Sequence, residues 1–223
     1  MDERIIARLQ ELRRFAIEKG IVAEFFYHEE DSALMRFANS AISLNTNEHL
    51  VRLEITAHEE NRQASFSLIT NLDAIDDMKD GVLQAAEILK HTQPLSYMPS
   101  IPVYQETIIE ETAFDSNLAE ISNAEKLDYF NRAVAGMETD QINLGGIFSS
   151  GKNVIAIMNT NSEHALAFVT SDAQITIVLS HKTLKWEVIA EQSAQKKTDL
   201  NPAALHRQLA YLLGHYQNAP AIQ

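Results

Sequence analysis

The chain has 223 residues, with 18 Lys and Arg against 31 Asp and Glu, a formal net charge of −13 and no cysteine. The missing cysteines exclude disulfides, thiolate metal sites, iron–sulfur clusters and cysteine nucleophiles. The acidic balance argues against the clustered Lys and Arg that phosphate-backbone binding requires.

With 45% hydrophobic and 22% charged residues, the chain has the composition of a soluble globular protein able to bury a core without staples. Met1-Asp-Glu-Arg-Ile-Ile carries acids at once and leads into no apolar stretch of signal-peptide length. No apolar run approaches the roughly 20 residues that span a bilayer. The expectation is a cytoplasmic protein that engages neither membrane nor nucleic acid.

Ile5, Ile6, Leu9, Leu12 and Phe15 recur at helical spacing, which predicts a helix over 3–19 stopped by Gly20. Extended signals follow at Val22–Tyr27, Leu34–Phe37 and Ala41–Leu44. From Leu50 to Ala57, Val51, Leu53 and Ile55 alternate with Arg52, Glu54 and Thr56, as in an antiparallel strand with one wet face. Ala64–Leu68 alternates again. Asn71 or Asp73 can cap a helix that runs to about Lys90, with Ile75, Met78, Val82 and Leu89 on one face.

Pro94, Pro99 and Pro102 then mark an extended connector, followed by an acidic stretch with Glu106, Glu110, Glu111, Asp115 and Glu120. Ser122 followed by Glu125 is a capping-box signal for a helix to about Met137. Strands are expected at Ile142–Phe148, Val154–Met158, Ala165–Thr170, Ala173–Ser180 and Leu184–Glu191. The separators Ser149–Asn153, Asn159–Ser162 and Ser171-Asp172 read as turns. Pro202 opens a last helix to about Tyr216.

The fold class read from this order is α+β: two tandem units, each of antiparallel strands flanked by helices. The units are placed at 1–92 and 121–217, with a connector at 93–120 and an unpatterned tail at 218–223. A single sheet shared by both halves is the rival arrangement.

Chemistry is sparse. Of the eight histidines, no pair has zinc-peptidase helix spacing. His58-Glu59 is followed by Arg62 and Gln63 where a second ligand belongs, and His58 reads as a surface residue at a strand end. The acidic pairs read as solvated faces or helix-dipole partners. No Walker pattern or dinucleotide-binding glycine triplet occurs, and Ser149-Ser-Gly-Lys-Asn153 reads as a hairpin turn. Trp186, the only tryptophan, is assigned to packing on a strand.

Three segments together resemble the TldD/PmbA family, also called modulators of DNA gyrase. Arg36-Phe-Ala-Asn-Ser-Ala-Ile42 is similar to a family segment with an Asn-Ser pair in an early hairpin. Val51–Ala57, Asn61–Phe66 and Thr70-Asn71-Leu72-Asp73 resemble its strand, turn and Ala-x-Thr-Asn run. Gly145–Asn161 resembles its second region, ending in an Asn-Thr pair. Asn61 and Gln63 stand where the family commonly has glycine.

The resemblance implies a dimer, homomeric or with another family subunit, acting on unfolded peptides. It also implies a zinc metallopeptidase whose His-Glu-x-x-x-His motif lies in a C-terminal domain. This chain carries no such motif. The expectation is an N-terminal fragment, inactive alone and holding no cofactor itself, that contributes peptide-chamber wall and subunit contact. A self-contained binding or scaffolding module is the alternative. By the same resemblance, Arg36, Asn39, Ser40, Arg62, Thr70, Asn71, Asn159 and Asn161 are the candidate peptide or partner contacts.

Overall fold

In a computed structural model, residues 1–217 are described; the expected tail from Asn218 to Gln223 lies outside the described residues. The first helix is α1 (Glu3–Glu18), whose Asp2 cap accepts from the Arg4 backbone N–H. Its apolar stripe of Ile5, Leu9, Leu12 and Ala16 is buried, and Gly20 leaves it at φ 69°. Strands β1 (Val22–Ala38), β2 (Ala41–Glu59) and β3 (Arg62–Ile69) follow, then α2 (Ile75–Leu89). Next come β4 (Ile108–Glu110), α3 (Ser116–Ala119) and α4 (Asn123–Ala133). Strands β5 (Ile142–Asn159), β6 (Leu166–His181) and β7 (Glu187–Ala194) precede α5 (Pro202–Gln217). The architecture is α+β. Among the described residues, no helix is long and apolar enough to cross a membrane.

The seven strands form a sheet in the order β3-β2-β1-β5-β6-β4, and β7 pairs with β6. The pairing is antiparallel from Arg52↔Ile69 to Glu59↔Arg62 and from Ala173↔Ala194 to Ser180↔Glu187. The short β4 runs parallel to β6.

The chain divides into two compact units, each assembled from separated stretches. The first takes 1–30, 49–112 and 153–169; the second takes 31–48, 113–152 and the chain from 170 on. The expected division placed one unit at 1–92 and the other at 121–217. The connector at 93–120 holds one of the passages between them, at Thr112 to Ala113. The physical reason is strand length. β1, β2, β5 and β6 have 17, 19, 18 and 16 residues, far above the usual five or six, and each contributes to both units.

In the first unit, Phe25, Tyr27, Leu53, Ile55, Met78 and Val82 are buried. α2 lies against β3, and a Cβ at Gly81 would stand 2.9 Å from Ile55 Cδ1, so glycine permits that approach. In the second unit, Ile175, Ile177 and Leu179 of β6 share a core with Phe130 and Ala133 of α4 and Leu205 and Leu209 of α5. Phe37 stacks on Phe130 with centroids 3.8 Å apart. By the two-residue period of a strand, Thr176, Val178 and Ser180 stand on the opposite face.

Several local expectations need correction. Ser149–Asn153 is the interior of β5, not a hairpin turn. Its glycine serves strand pairing: a Cβ on Gly151 would lie 2.5 Å from Asp31 O. Ser171-Asp172 likewise lies within β6. Buried Ser171 donates to Gln195 O and accepts from Asp115 N, so a polar residue that reads as a turn is satisfied by tertiary bonds.

Neither Asn71 nor Asp73 caps α2, whose N-cap is Ala74 with no side-chain bond; Asn71 Oδ1 accepts from Asp73 N instead. The capping box at Ser122 and Glu125 is present with both bonds. The helix it opens ends at Ala133 rather than Met137. Trp186 precedes β7 and stacks on Tyr216, centroids 5.4 Å apart, against the second core.

Candidate functional site

The sequence Ala38-Asn-Ser-Ala41 leaves two residues to reverse the chain between β1 and β2. Asn39 and Ser40 take φ 51° and 60°. Positive φ at both positions is the pattern of the type I′ hairpin, whose twist matches the flanking strands and which asparagine tolerates well. Ser40 N donates to Leu144 O at 3.0 Å, tying the turn to β5. The Asn-Ser pair therefore builds the hairpin, and in doing so fixes where Arg36 stands.

Arg36 lies between buried Met35 and Phe37 on β1, so alternation sends it to the face opposite the α4–α5 core. There a recess of about 400 Å³ opens, lined by Arg36, Asn39, Asn143, Gly145, Val178 and Ser180 among others. Arg36 is exposed and makes no ion pair among the described residues.

The floor depends on two glycines with different tasks. A Cβ at Gly146 would lie 2.2 Å from Thr176 O, an impossible approach. At Gly145 the nearest atom would be Phe37 O at 3.5 Å, an ordinary contact.

Beneath the sheet, α4 sends Lys126 into the core. The residue has no exposed surface, its Nζ donates to Ala33 O at 2.8 Å, and it stands 5.6 Å from the Phe148 ring centroid. Burial lowers its pKa to about 8. At the start of the same helix, Glu125 is held at about 2 by Lys197 Nζ at 2.6 Å and by the bonds from Ser122.

Asn159 and Asn161 lie in the first unit. Asn159 is buried; its amide donates to Pro102 O at 3.0 Å and its Oδ1 accepts from Asn161 N at 3.0 Å. It anchors the proline connector and shapes the turn after β5. Asn161 helps line a recess of about 550 Å³ with His58, Lys90 and Met98.

Arg62 begins β3 and Thr70 follows its end, so these two candidates are a strand length apart. Thr70 N donates to Val51 O, and Asn71 forms the turn described above. Thus Arg36, Asn39 and Ser40 converge, Asn159 and Asn161 converge, and Arg62 stands apart from Thr70 and Asn71.

His58 corrects its surface reading. Only 9% of it is exposed, with Nε2 2.9 Å from Glu24 Oε2. The angles do not fit a hydrogen bond, and Nδ1 also lacks a hydrogen-bond partner among the described residues. Its position on β2, opposite buried Ala57, gives it the non-core face; no local pattern announces that this face is covered there. The β2–β3 turn is similar in this respect. Left-handed φ falls on Glu60, at 50°, so Asn61 stands without glycine at no left-handed strain.

No protein-family model matches the sequence, and no curated protein sequence matches it. Solved structures do. The chain superposes on TldE from Thermococcus kodakarensis with a TM-score of 0.76 at 16% identity, covering 95% of this chain and 48% of that one. A candidate modulator of DNA gyrase from Thermotoga maritima matches with a TM-score of 0.70 at 14% identity, over 97% of this chain and 49% of that chain. Another from Bacteroides thetaiotaomicron matches with a TM-score of 0.72 at 12% identity, over 96% and 50%. These likenesses establish a shared fold, and it is the fold that the sequence resemblance implies. The chain spans about half the length of each.

Proposed function

We propose that the chain is a non-catalytic part of a TldD/PmbA-type peptidase assembly. In this reading it forms wall for an extended, unfolded peptide and contact for another family subunit. The observation that carries the reading is the match of almost the whole chain to half of TldE and of two other long chains of the same fold. Zinc would supply the hydrolytic water in the active members that the resemblance implies. With no His-Glu-x-x-x-His in this sequence, no step through the metal is assigned to its residues.

The edge of β2 supports a role in holding peptide. β3 pairs with β2 only from Arg52 onward, so Ala41–Glu48 has β1 as its neighbour and an outer row of backbone donors and acceptors. This stretch is exposed throughout, including Ile42 at 47% and Leu44 at 45%. Natural edges are guarded by Lys, Pro or bulges; Ala41–Asn47 has no charged residue and no proline. Such an edge accepts an added strand through main-chain hydrogen bonds.

The test uses the purified chain, a fluorescein-labelled unfolded peptide and a TldD-type subunit. The expected result is peptide binding by anisotropy, no cleavage by mass spectrometry with or without added zinc, and co-elution with the subunit. Cleavage by this chain alone, or neither peptide binding nor co-elution, would overturn the reading. Peptide binding without co-elution would favour a self-contained binding module.

A further inference from the structure

We propose that the recess on the uncovered sheet face of the second unit binds a peptide carboxylate, with Arg36 as its counter-charge. The inference rests on the peptide-wall reading and names the chemical group that the wall selects.

The first ground is the state of Arg36. In a chain of 31 acids and 18 bases, some basic side chains meet acids, among them Arg8 and Lys79 at Glu11, Arg52 at Glu30 and Lys197 at Glu125. Arg36 makes no ion pair among the described residues, yet it borders a recess. A guanidinium offers five donors in a planar fork that matches a carboxylate.

The second ground is the rest of the lining. Asn39, Asn143 and Ser180 add side-chain donors around the same recess, while Val178 and Ile147 give it apolar wall. This is a composition suited to a polar chain end or an acidic side chain with its aliphatic neighbours. Gly145 keeps the floor low, because alternation from buried Leu144 turns position 145 outward and no Cβ fills the space.

The third ground is polarity. Thr176 pairs with Glu191 across β6 and β7, and its Oγ1 donates to Glu191 Oε1 at 3.2 Å. Strand order places β5 and β6 between β1 and β7, so the fixed acid lies about 14 Å from the β1 side at ordinary strand spacing. A ligand carboxylate is repelled from the β7 side and attracted to the Arg36 side.

Carboxylate can come from a peptide C-terminus or from an Asp or Glu side chain, and three probes separate them. The 15N-labelled chain is titrated with Ac-Ala-Val-Ala-Val as free acid, the same peptide as C-terminal amide, and Ac-Ala-Val-Glu-Val amide. The expected result is that at least one acid probe binds about fivefold more tightly than the neutral amide, a modest effect for an exposed charge-assisted bond. Its shifts should centre on the amides of Asn39, Gly145 and Ser180 and on Arg36 Nε. Preference for the free acid assigns the C-terminus; preference for the Glu probe assigns a side chain.

Arg36→Gln should abolish the preference without changing the thermal midpoint, and Gly145→Ala should weaken the acid probe by occupying the floor. Equal binding of all three probes, no binding by any, or a preference that survives Arg36→Gln overturns the inference. Shifts confined to Ala41–Glu48 with no carboxylate preference would overturn it while leaving the peptide-wall reading standing.

Discussion

Replacing Lys126 with methionine should make the protein more stable at pH 7. The residue has no exposed surface; among the described residues no acid pairs with its Nζ, which donates to Ala33 O. Burial takes its pKa from 10.5 to about 8. At roughly 1.4 kcal/mol per tenfold change, that depression corresponds to about 3 kcal/mol opposing the folded state while the amine is charged.

The sign follows from proton counting. Between about 8 and 10.5 the unfolded chain holds a proton that the folded chain has released, so stability rises with pH across that window. The penalty is complete below the lower value and gone above the upper one. Methionine removes it but forfeits the bond to Ala33 O, at a cost of about 1 kcal/mol. The net expectation is a gain of about 2 kcal/mol at pH 7.

Urea unfolding followed by circular dichroism, from pH 7 to 10.5, measures this directly. The advantage of Lys126→Met should shrink above pH 8 and vanish near pH 10. Burial also raises Tyr129, to about 12, but both proteins share that tyrosine and the difference between them isolates Lys126. A stability difference that stays constant over the range would refute the reasoning.

The two floor glycines should respond differently to alanine. Gly146→Ala places a methyl 2.2 Å from Thr176 O and should lower stability by about 2–3 kcal/mol, whereas Gly145→Ala should be close to neutral in the same urea titration. Asn159→Ala removes the bonds that hold Pro102 and the turn at Asn161; about 2 kcal/mol of stability should be lost, with faster chymotryptic nicking at Tyr97 and Tyr104. Glu125, held at about 2, contributes stability that is present above its ordinary 4.5 and lost as pH falls through the lower value. Glu125→Gln should therefore flatten the fall in melting temperature between pH 4.5 and 2 relative to wild type.

Much of the helical layer is legible in the sequence because its signals are local. The stripe of Ile5, Leu9, Leu12 and Ala16, the Ser122–Glu125 capping box and Pro202 at the first turn each act within one or two helical turns. The alternation from Val51 to Ala57 likewise separates a buried face from a wet one without reference to any partner. The site is legible only in part. Arg36, Asn39 and Ser40 are singled out together, but the residues that complete their recess lie on β5 and β6. His58 is missed because its burial depends on segments distant in sequence.

What the sequence by itself determined was therefore composition, helix placement and strand faces, all governed by interactions between near neighbours, while the Asn-Ser hairpin was implied by the family resemblance. The tertiary structure decided the rest. It runs β5 through Ser149–Asn153 because Gly151 lets the backbone at Asp31 approach, and β6 through Ser171 because that hydroxyl finds partners at Asp115 and Gln195. It also distributes the long strands over two units. Glycine and serine weaken a strand when only local propensity acts; close approach and a satisfied buried hydroxyl reverse that balance, and both come from residues far away in the chain.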